Sequence, residues 1–138
     1  MNRVAVDPST RSLYANEWNQ VDGIQIYDMD SFALKGKLIP AAGLSFPGEI
    51  QGGAFNPLDP GFLYLSVNTN CSVYKVDVKS GDVIFVLSDD YENRPHEYEM
   101  EGITFWDLRE HQPAFGVMHL FGNFMTVKEK GIRSYTTV

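Results

Sequence analysis

Apolar and polar residues alternate along this chain in short runs, each closed by a turn signal before a helix could form. Residues 4–6 are apolar and stop at Asp7-Pro8-Ser9-Thr10, where Asp accepts from the turn backbone and Pro fixes φ. Leu13-Tyr14-Ala15 follows. Beyond the Asp22-Gly23 turn signal, Ile24-Gln25-Ile26-Tyr27-Asp28 alternates with period two. Residues 34–39 supply an outer strand in which Lys35 and Lys37 guard an edge against pairing. The same grammar returns: 52–55, a stop at Asn56-Pro57, then strands over 62–67, 71–78 and 83–87. A third round begins at Gly102, continues through 116–121, and reaches Ile132-Arg133-Ser134-Tyr135 with no fourth strand before Val138.

The echo is close enough to align. Glu49-Ile50-Gln51-Gly52-Gly53-Ala54-Phe55-Asn56-Pro57 is restated by Glu99-Met100-Glu101-Gly102-Ile103-Thr104-Phe105-Trp106-Asp107. Ala5, Ala54 and Thr104 correspond, as do Val6, Phe55 and Phe105, then Leu13, Leu63 and Met118, then Tyr14, Tyr64 and His119. In the third strand Ile24, Val73 and Ile132 align, and so do Tyr27, Val76 and Tyr135. The first strands recur after 49 and then 50 residues, a period that belongs to four-stranded propeller blades rather than to helical repeats. The expected fold is all-β: three antiparallel blades at about 1–42, 46–90 and 97–138, the last lacking its outer strand. Val6, Phe55, Phe105, Leu13, Leu63, Met118, Ile24, Val73 and Ile132 are the expected core between blades. Closed propellers have about four to eight blades. Three blades therefore imply either the C-terminal half of a six-bladed ring or two copies pairing as a homodimer to complete one. A start directly at a first strand favours the half-ring.

A chain of 138 residues suits one domain and is long enough to bury roughly two thirds of its unfolded surface. Eleven basic against 18 acidic residues leave a formal charge of −7 with no basic cluster, so nucleic acid is not an expected partner. No apolar run approaches the roughly 18 residues of a membrane span, and Met1-Asn2-Arg3 does not open a signal peptide. The default expectation is a cytoplasmic protein with no membrane contact; secretion would require a segment upstream. The single Cys71 excludes an intrachain disulfide and reads as a small strand residue.

Three stretches resemble the end of six-bladed propellers: Gln51-Gly52-Gly53-Ala54-Phe55 with Phe62-Leu63-Tyr64-Leu65-Ser66, Val76-Asp77-Val78-Lys79-Ser80-Gly81, and Glu101-Gly102-Ile103-Thr104-Phe105-Trp106-Asp107-Leu108. The set they resemble includes gluconolactonase-like, strictosidine-synthase-like and esterase-like phytase propellers and many uncharacterised proteins. In the lactonase type, a Glu before the Gly of an inner strand holds a divalent cation at the mouth of the central channel. The resemblance puts Glu101 in that role, with Gln51 and Asn2 at the matching positions of the other units. Calcium accepts six to eight oxygens, amide oxygens included, so these three would supply part of a shell.

The residues leave other chemistry open. Glu99 and Glu101 lie two apart in an extended segment, on one side of it, and could hold a cation or act as acid and base; solvated loop acids are the plainer alternative. Trp18 and Trp106, with Tyr14, Tyr64 and Phe121, could form a stacking platform for a flat ligand or sugar, against a packing role between blades. His96, His111 and His119 lack a metal-ligand spacing, and Asp89-Asp90-Tyr91-Glu92-Asn93 lacks the spaced acids and glycine of a calcium loop. No nucleophile elbow, phosphate-binding loop or dinucleotide fingerprint occurs. The leading expectation is a binding or scaffold module for a protein or small-molecule partner. The alternative is part of a metal-dependent lactonase- or esterase-like hydrolase, with a cation such as calcium at Glu101 activating water.

Overall fold

The structure, a computed structural model, describes residues 3–16, 22–69, 71–88, 98–106, 118–124 and 131–135; for residues 3, 4, 98, 99, 118–124 and 131–135 it describes the backbone alone. All regular structure in them is β. Strands β1 (Arg3–Asp7), β2 (Ser12–Asn16), β3 (Ile24–Asp28) and β4 (Leu34–Leu38) form the first sheet. The second contains β5 (Ile50–Phe55), β6 (Phe62–Val67), β7 (Ser72–Asp77) and β8 (Val83–Ser88). The third contains β9 (Tyr98–Phe105), β10 (Met118–Phe124) and β11 (Gly131–Tyr135). Each strand pairs antiparallel with the next, so every sheet is a simple meander. Among the described residues no helix is long and apolar enough to cross a membrane.

The register confirms the sequence alignment residue by residue. Ala5 lies opposite Tyr14, Ala54 opposite Tyr64, and Thr104 opposite His119. Val6 faces Leu13, Phe55 faces Leu63, and Phe105 faces Met118. On the far side of the second strands, Leu13 pairs with Tyr27, Leu63 with Val76, and Met118 with Tyr135. Because a strand's side chains alternate with period two, a shared register gives the three sheets the same division into faces.

Those faces stack in order. First strands lie side by side, β1 against β5 and β5 against β9. Between the first two sheets, Ala5, Tyr14 and Ile24 meet Leu63, Leu65 and Val76. Between the second and third, Tyr64, Val73 and Cys71 meet Met100 and Ile103. One aromatic contact recurs at each junction: the Tyr14 ring lies 5.0 Å from Phe55, and the Tyr64 ring 4.8 Å from Phe105. Such tilted and edge-on pairs contribute about 0.5–1.5 kcal/mol beyond their burial. Strand β6 is covered on both faces, which is why Phe-Leu-Tyr-Leu-Ser-Val runs nearly unbroken in apolar character, with every residue from Leu63 to Val67 buried. Among the described residues, strand β2 is covered on one face only. Ser12, Tyr14 and Asn16 are buried there, while Leu13 and Ala15 are half-buried.

The expected core is corrected at Val6, which is 47% exposed. The position is right, since Phe55 and Phe105 occupy it in the other sheets, but among the described residues no sheet stacks on that side of β1. Phe55, Phe105 and Leu13 are half-buried, and Leu63, Ile24 and Val73 are fully buried. The side chains of Met118 and Ile132 lie outside the described residues. Lys35 and Lys37 do stand on the exposed edge strand β4 as expected.

The turns repeat as well. After the third strand, Asp28 Oδ1 accepts from Ser31 N at 2.9 Å, and Asp77 Oδ1 accepts from Ser80 N at 3.0 Å. The Asp28 carbonyl accepts from Phe32 N, and the Asp77 carbonyl from Gly81 N. This geometry requires a left-handed residue at the fifth position. Gly81 supplies it at φ 78°, whereas Phe32 is held there at φ 56° with 69% of its surface exposed. At Gly81 a Cβ would also fall 2.2 Å from the Ile39 carbonyl oxygen, because the segment joining the first two sheets crosses this turn and Ala41 N donates to the Gly81 carbonyl.

A left-handed backbone costs a non-glycine residue roughly 1–2 kcal/mol, and glycine's extra unfolded freedom costs about 0.5–1 kcal/mol. Phe32→Gly should therefore stabilise the chain by about 0.5–1 kcal/mol in urea denaturation. Gly81→Ala should destabilise it by roughly 2 kcal/mol or more, because backbone rather than a flexible side chain blocks the added methyl. The turn after β1 gives a pH test. Burial alone would raise the Asp7 carboxyl, but hydrogen bonds from Ser9 Oγ and N and from Thr10 Oγ1 outweigh it and hold it below its ordinary 3.8. A depressed folded pKa contributes stability that is present above pH 3.8 and lost as pH falls through the folded value. Asp7→Asn, the counterpart of Asn56 in the second sheet, should flatten the loss of thermal stability below that pH.

Candidate functional site

The first strands of the second and third sheets each carry one residue more than their partner. Ile50 pairs with Val67 and Gly52 with Ser66, leaving Gln51 as the extra residue of a β-bulge. Met100 pairs with Gly122 and Gly102 with Phe121, leaving Glu101 as the extra residue at the same point. A bulge takes its residue out of the ladder and re-aims the side chain, a device common beside functional sites. Gln51 is buried and Glu101 half-buried. Both occupy the same register position of neighbouring first strands, just before the glycine that pairs with the second strand. The residues before them, Ile50 and Met100, are both completely buried and anchor the bulges from below.

The strands come close here. A Cβ built on Gly52 would lie 2.9 Å from Gly102 Cα and 3.0 Å from Ser66 Oγ, so Gly52, which follows the bulge residue Gln51, permits a backbone approach that a side chain there would prevent. Asn68, just past β6, bridges the two sheets. Its side-chain Oδ1 accepts from Met100 N at 3.3 Å, and its own N donates to the Glu49 carbonyl at 3.1 Å. One asparagine thus fixes the backbone immediately ahead of both bulges. Sequence reasoning missed it, although a signal exists: Asn123 holds the same register position in the third sheet, opposite Glu99 as Asn68 stands opposite Glu49.

Of the residues singled out in the sequence, Gln51 and Glu101 are brought to equivalent places. The backbone of Glu99 pairs with Asn123, and the bulge at Glu101 interrupts the alternation on which a same-side placement of the two acids depends. The Glu99 side chain, Asn2, Trp18, His96, His111 and the 89–93 segment lie outside the described residues, as does the side chain of His119. Trp106 follows β9 directly and is 66% exposed. Five residues of strand at about 3.3 Å each place its backbone roughly 17 Å from that of Glu101, so the aromatic and oxygen-donor candidates stand well apart along β9. Tyr14 and Tyr64 serve the junctions between sheets. Among the described residues no three His, Cys, Asp or Glu side chains converge as a metal site.

The turn between β5 and β6 is braced by a local polar cluster. Tyr64 Oη donates to Asp59 Oδ2 at 2.7 Å, and Lys75 Nζ donates to the same oxygen at 3.1 Å while lying 4.4 Å from the centre of the Phe62 ring. Burial, with the neighbouring Asp59 carboxylate adding to it, pushes the Tyr64 hydroxyl up to about 12. At ordinary pH it is a fixed hydrogen-bond donor. That suits a brace between a turn and a sheet, not a proton-transfer group.

Meander sheets that repeat in register and stack first strand beside first strand define a propeller-like architecture. Among solved structures the chain is similar to hydrazine synthase of Kuenenia stuttgartiensis, with a TM-score of 0.58 and 10% identity over 94% of this chain. The match spans 32% of the length of that chain, and the likeness is one of fold. No known protein family matches the sequence, and no curated protein does.

The close approach at the bulges yields a test. Gly52→Ala must push the first strands of the second and third sheets apart or displace Ser66, and overpacking of this kind costs about 1–3 kcal/mol. Urea denaturation should show that loss, whereas Gly36→Ala, with open space around it, should change the midpoint little.

Proposed function

We propose that this chain is a binding module of propeller-like architecture whose recognition surface lies at the bulges of its first strands. The observation that carries this reading is the coincidence of two bulges, at Gln51 and Glu101, at one register position on adjacent strands. A bulge leaves ladder groups unpaired and is retained where it aims a side chain. At these bulges stand an amide and a carboxylate, both bearing oxygen donors, beside a backbone held by Asn68. Oxygen donors of mixed charge suit a hard cation or the hydroxyl and amine groups of a polar ligand. The resemblance of the Glu101-Gly102 pair to lactonase-type propellers supports the cation. A single carboxylate gives weak affinity, on the order of the 0.1–1 mM dissociation constants of low-charge calcium sites.

Calcium is therefore the probe. At ten times the dissociation constant it should stabilise the folded chain by about 1.4 kcal/mol, seen as a rise in melting temperature and a titratable heat. Glu101→Gln should abolish both effects while leaving the circular dichroism spectrum unchanged. A folded protein that calcium neither stabilises nor heats would overturn the assignment of a cation to these bulges. Calcium-dependent turnover of a simple lactone or aryl ester that disappears in Glu101→Gln would replace the binding reading by the hydrolase one.

A further inference from the structure

Two residues near the bulges hold a backbone conformation that a Cβ disfavours. Glu49, directly before β5, lies at φ 54°, and Cys71, directly before β7, at φ 46°. Glycine usually fills such left-handed positions, and other residues keep them only where the surroundings leave no alternative. Both are tied to one residue. Asn68 N donates to the Glu49 carbonyl at 3.1 Å, and Cys71 N donates to the Asn68 carbonyl at 3.1 Å. The Asn68 side chain reaches into the third sheet, where its Oδ1 accepts from Met100 N at 3.3 Å. Cys71 and Met100 are completely buried in one cluster with Tyr64, Val73 and Ile103. A glycine at position 71 would relieve the backbone but leave a gap in that cluster, so the junction between the sheets holds the cysteine in place.

We propose that Asn68 is the positioning residue of the bulged surface, and that through it the bulges at Gln51 and Glu101 open and close as one unit. A bulge residue stands outside the ladder and keeps its aim only if the backbone beside it is fixed. On one side of each bulge residue the chain continues with a glycine, Gly52 or Gly102, which adds no side-chain anchor. On the other side Asn68 holds Glu49, ahead of Gln51, and Met100, ahead of Glu101. The strands it joins have no room to move separately. A Cβ on Gly52 would fall 2.9 Å from Gly102 Cα and 3.3 Å from Ile103 N, and the buried Ser66 Oγ donates to the Gly52 carbonyl at 3.4 Å. Backbones in such contact shift together or not at all. That Asn68 places oxygen donors for a ligand rests on the binding reading above; that it joins the two bulges does not.

Hydrogen exchange followed by NMR, without calcium, tests the unit. The reporters are the amides of Asn68, Cys71 and Met100. In the unmodified chain they should share one opening equilibrium and one urea dependence. Asn68→Ala removes the acceptor of Met100 N and leaves the two backbone bonds of residue 68 chemically intact. A local role therefore speeds exchange at Met100 alone, whereas a unit speeds all three amides by about tenfold, as loss of one buried acceptor does. Asn68→Asp retains the oxygen and should leave them near their unmodified rates, and the amides of β3 in the first sheet should be unchanged in both variants. Separate urea dependences in the unmodified chain, or acceleration confined to Met100, overturn the proposal. So does equal acceleration by Asn68→Asp, because the acceptor is then not what holds the unit, and so does acceleration that extends to β3, because the whole chain is then opening. If Asn68→Ala does not fold, the urea dependences of the unmodified chain decide.

A calcium titration then tests the positioning role. Asn68→Ala should bind calcium about tenfold more weakly than the unmodified chain, the loss typical of a residue that orients a ligand from behind, and Asn68→Asp should bind it no more weakly. Equal affinity in Asn68→Ala overturns that role. Calcium that does not bind the unmodified chain overturns the binding reading instead, and the exchange rates alone then decide whether the bulges form one unit.

Discussion

The stacking of one sheet's Tyr-bearing face on the next sheet's Phe-bearing face is the constraint on which the rest of the fold depends. A single meander of four short strands has no interior, and its two faces can leave water only against other sheets. Tyr14 on Phe55 and Tyr64 on Phe105 mark the two places where this happens. Once the faces are matched, the register within each sheet is no longer free, because a slip of one residue would turn Tyr14 or Tyr64 to the wrong side. The cross-strand pairs Ala5 with Tyr14 and Ala54 with Tyr64 follow from that requirement: a small residue beside each tyrosine leaves room for the ring at the junction.

Stacking has a second consequence at the first strands. Adjacent sheets converge there, and the backbones of Gly52 and Gly102 approach too closely for any Cβ. A regular ladder on both sides of such a contact would aim side chains into the neighbouring strand. The bulges at Gln51 and Glu101 remove one residue from each ladder just before the contact, and Asn68 takes up Met100 N across the gap. Polar residues, Gln51 buried and Glu101 half-buried, thus stand at the place where packing is tightest. The candidate site is a by-product of how the sheets converge, and only the identity of the bulge residue is left for function to choose.

Most of this order was legible in the sequence because it is carried by repetition. The alignment of Leu13 with Leu63 and Met118, and of Tyr27 with Val76 and Tyr135, needs no structure: the spacing of turns and apolar runs is the same in each unit. What could not be read is whatever depends on a neighbour. Val6 matches Phe55 in pattern, yet its burial depends on a neighbouring sheet, and none among the described residues stacks on its side of β1. Phe32 was invisible as a left-handed residue, since the turn it shares with Gly81 is set by Asp28 and Ser31 and shows no glycine. The bulge was partly legible, as a glycine following a polar residue. Asn68 was not, because a lone asparagine in a turn looks like any other capping residue.

Repetition also indicates where chemistry can reside. Positions that serve stacking are held to small, apolar or aromatic residues in every sheet, and a change there is felt by the whole array. Positions that repeat in geometry but not in residue type are free of that demand. At the turn that follows the first strand, Asp7 and Asn56 are buried acceptors that close the turn, while the corresponding Trp106 is exposed. At the bulge, an amide in the second sheet becomes a carboxylate in the third. The two regions of the sheet array therefore differ in kind: one is closed by turn acceptors and the Asp59, Tyr64 and Lys75 brace, and at the other the bulge residue changes from amide to carboxylate between sheets.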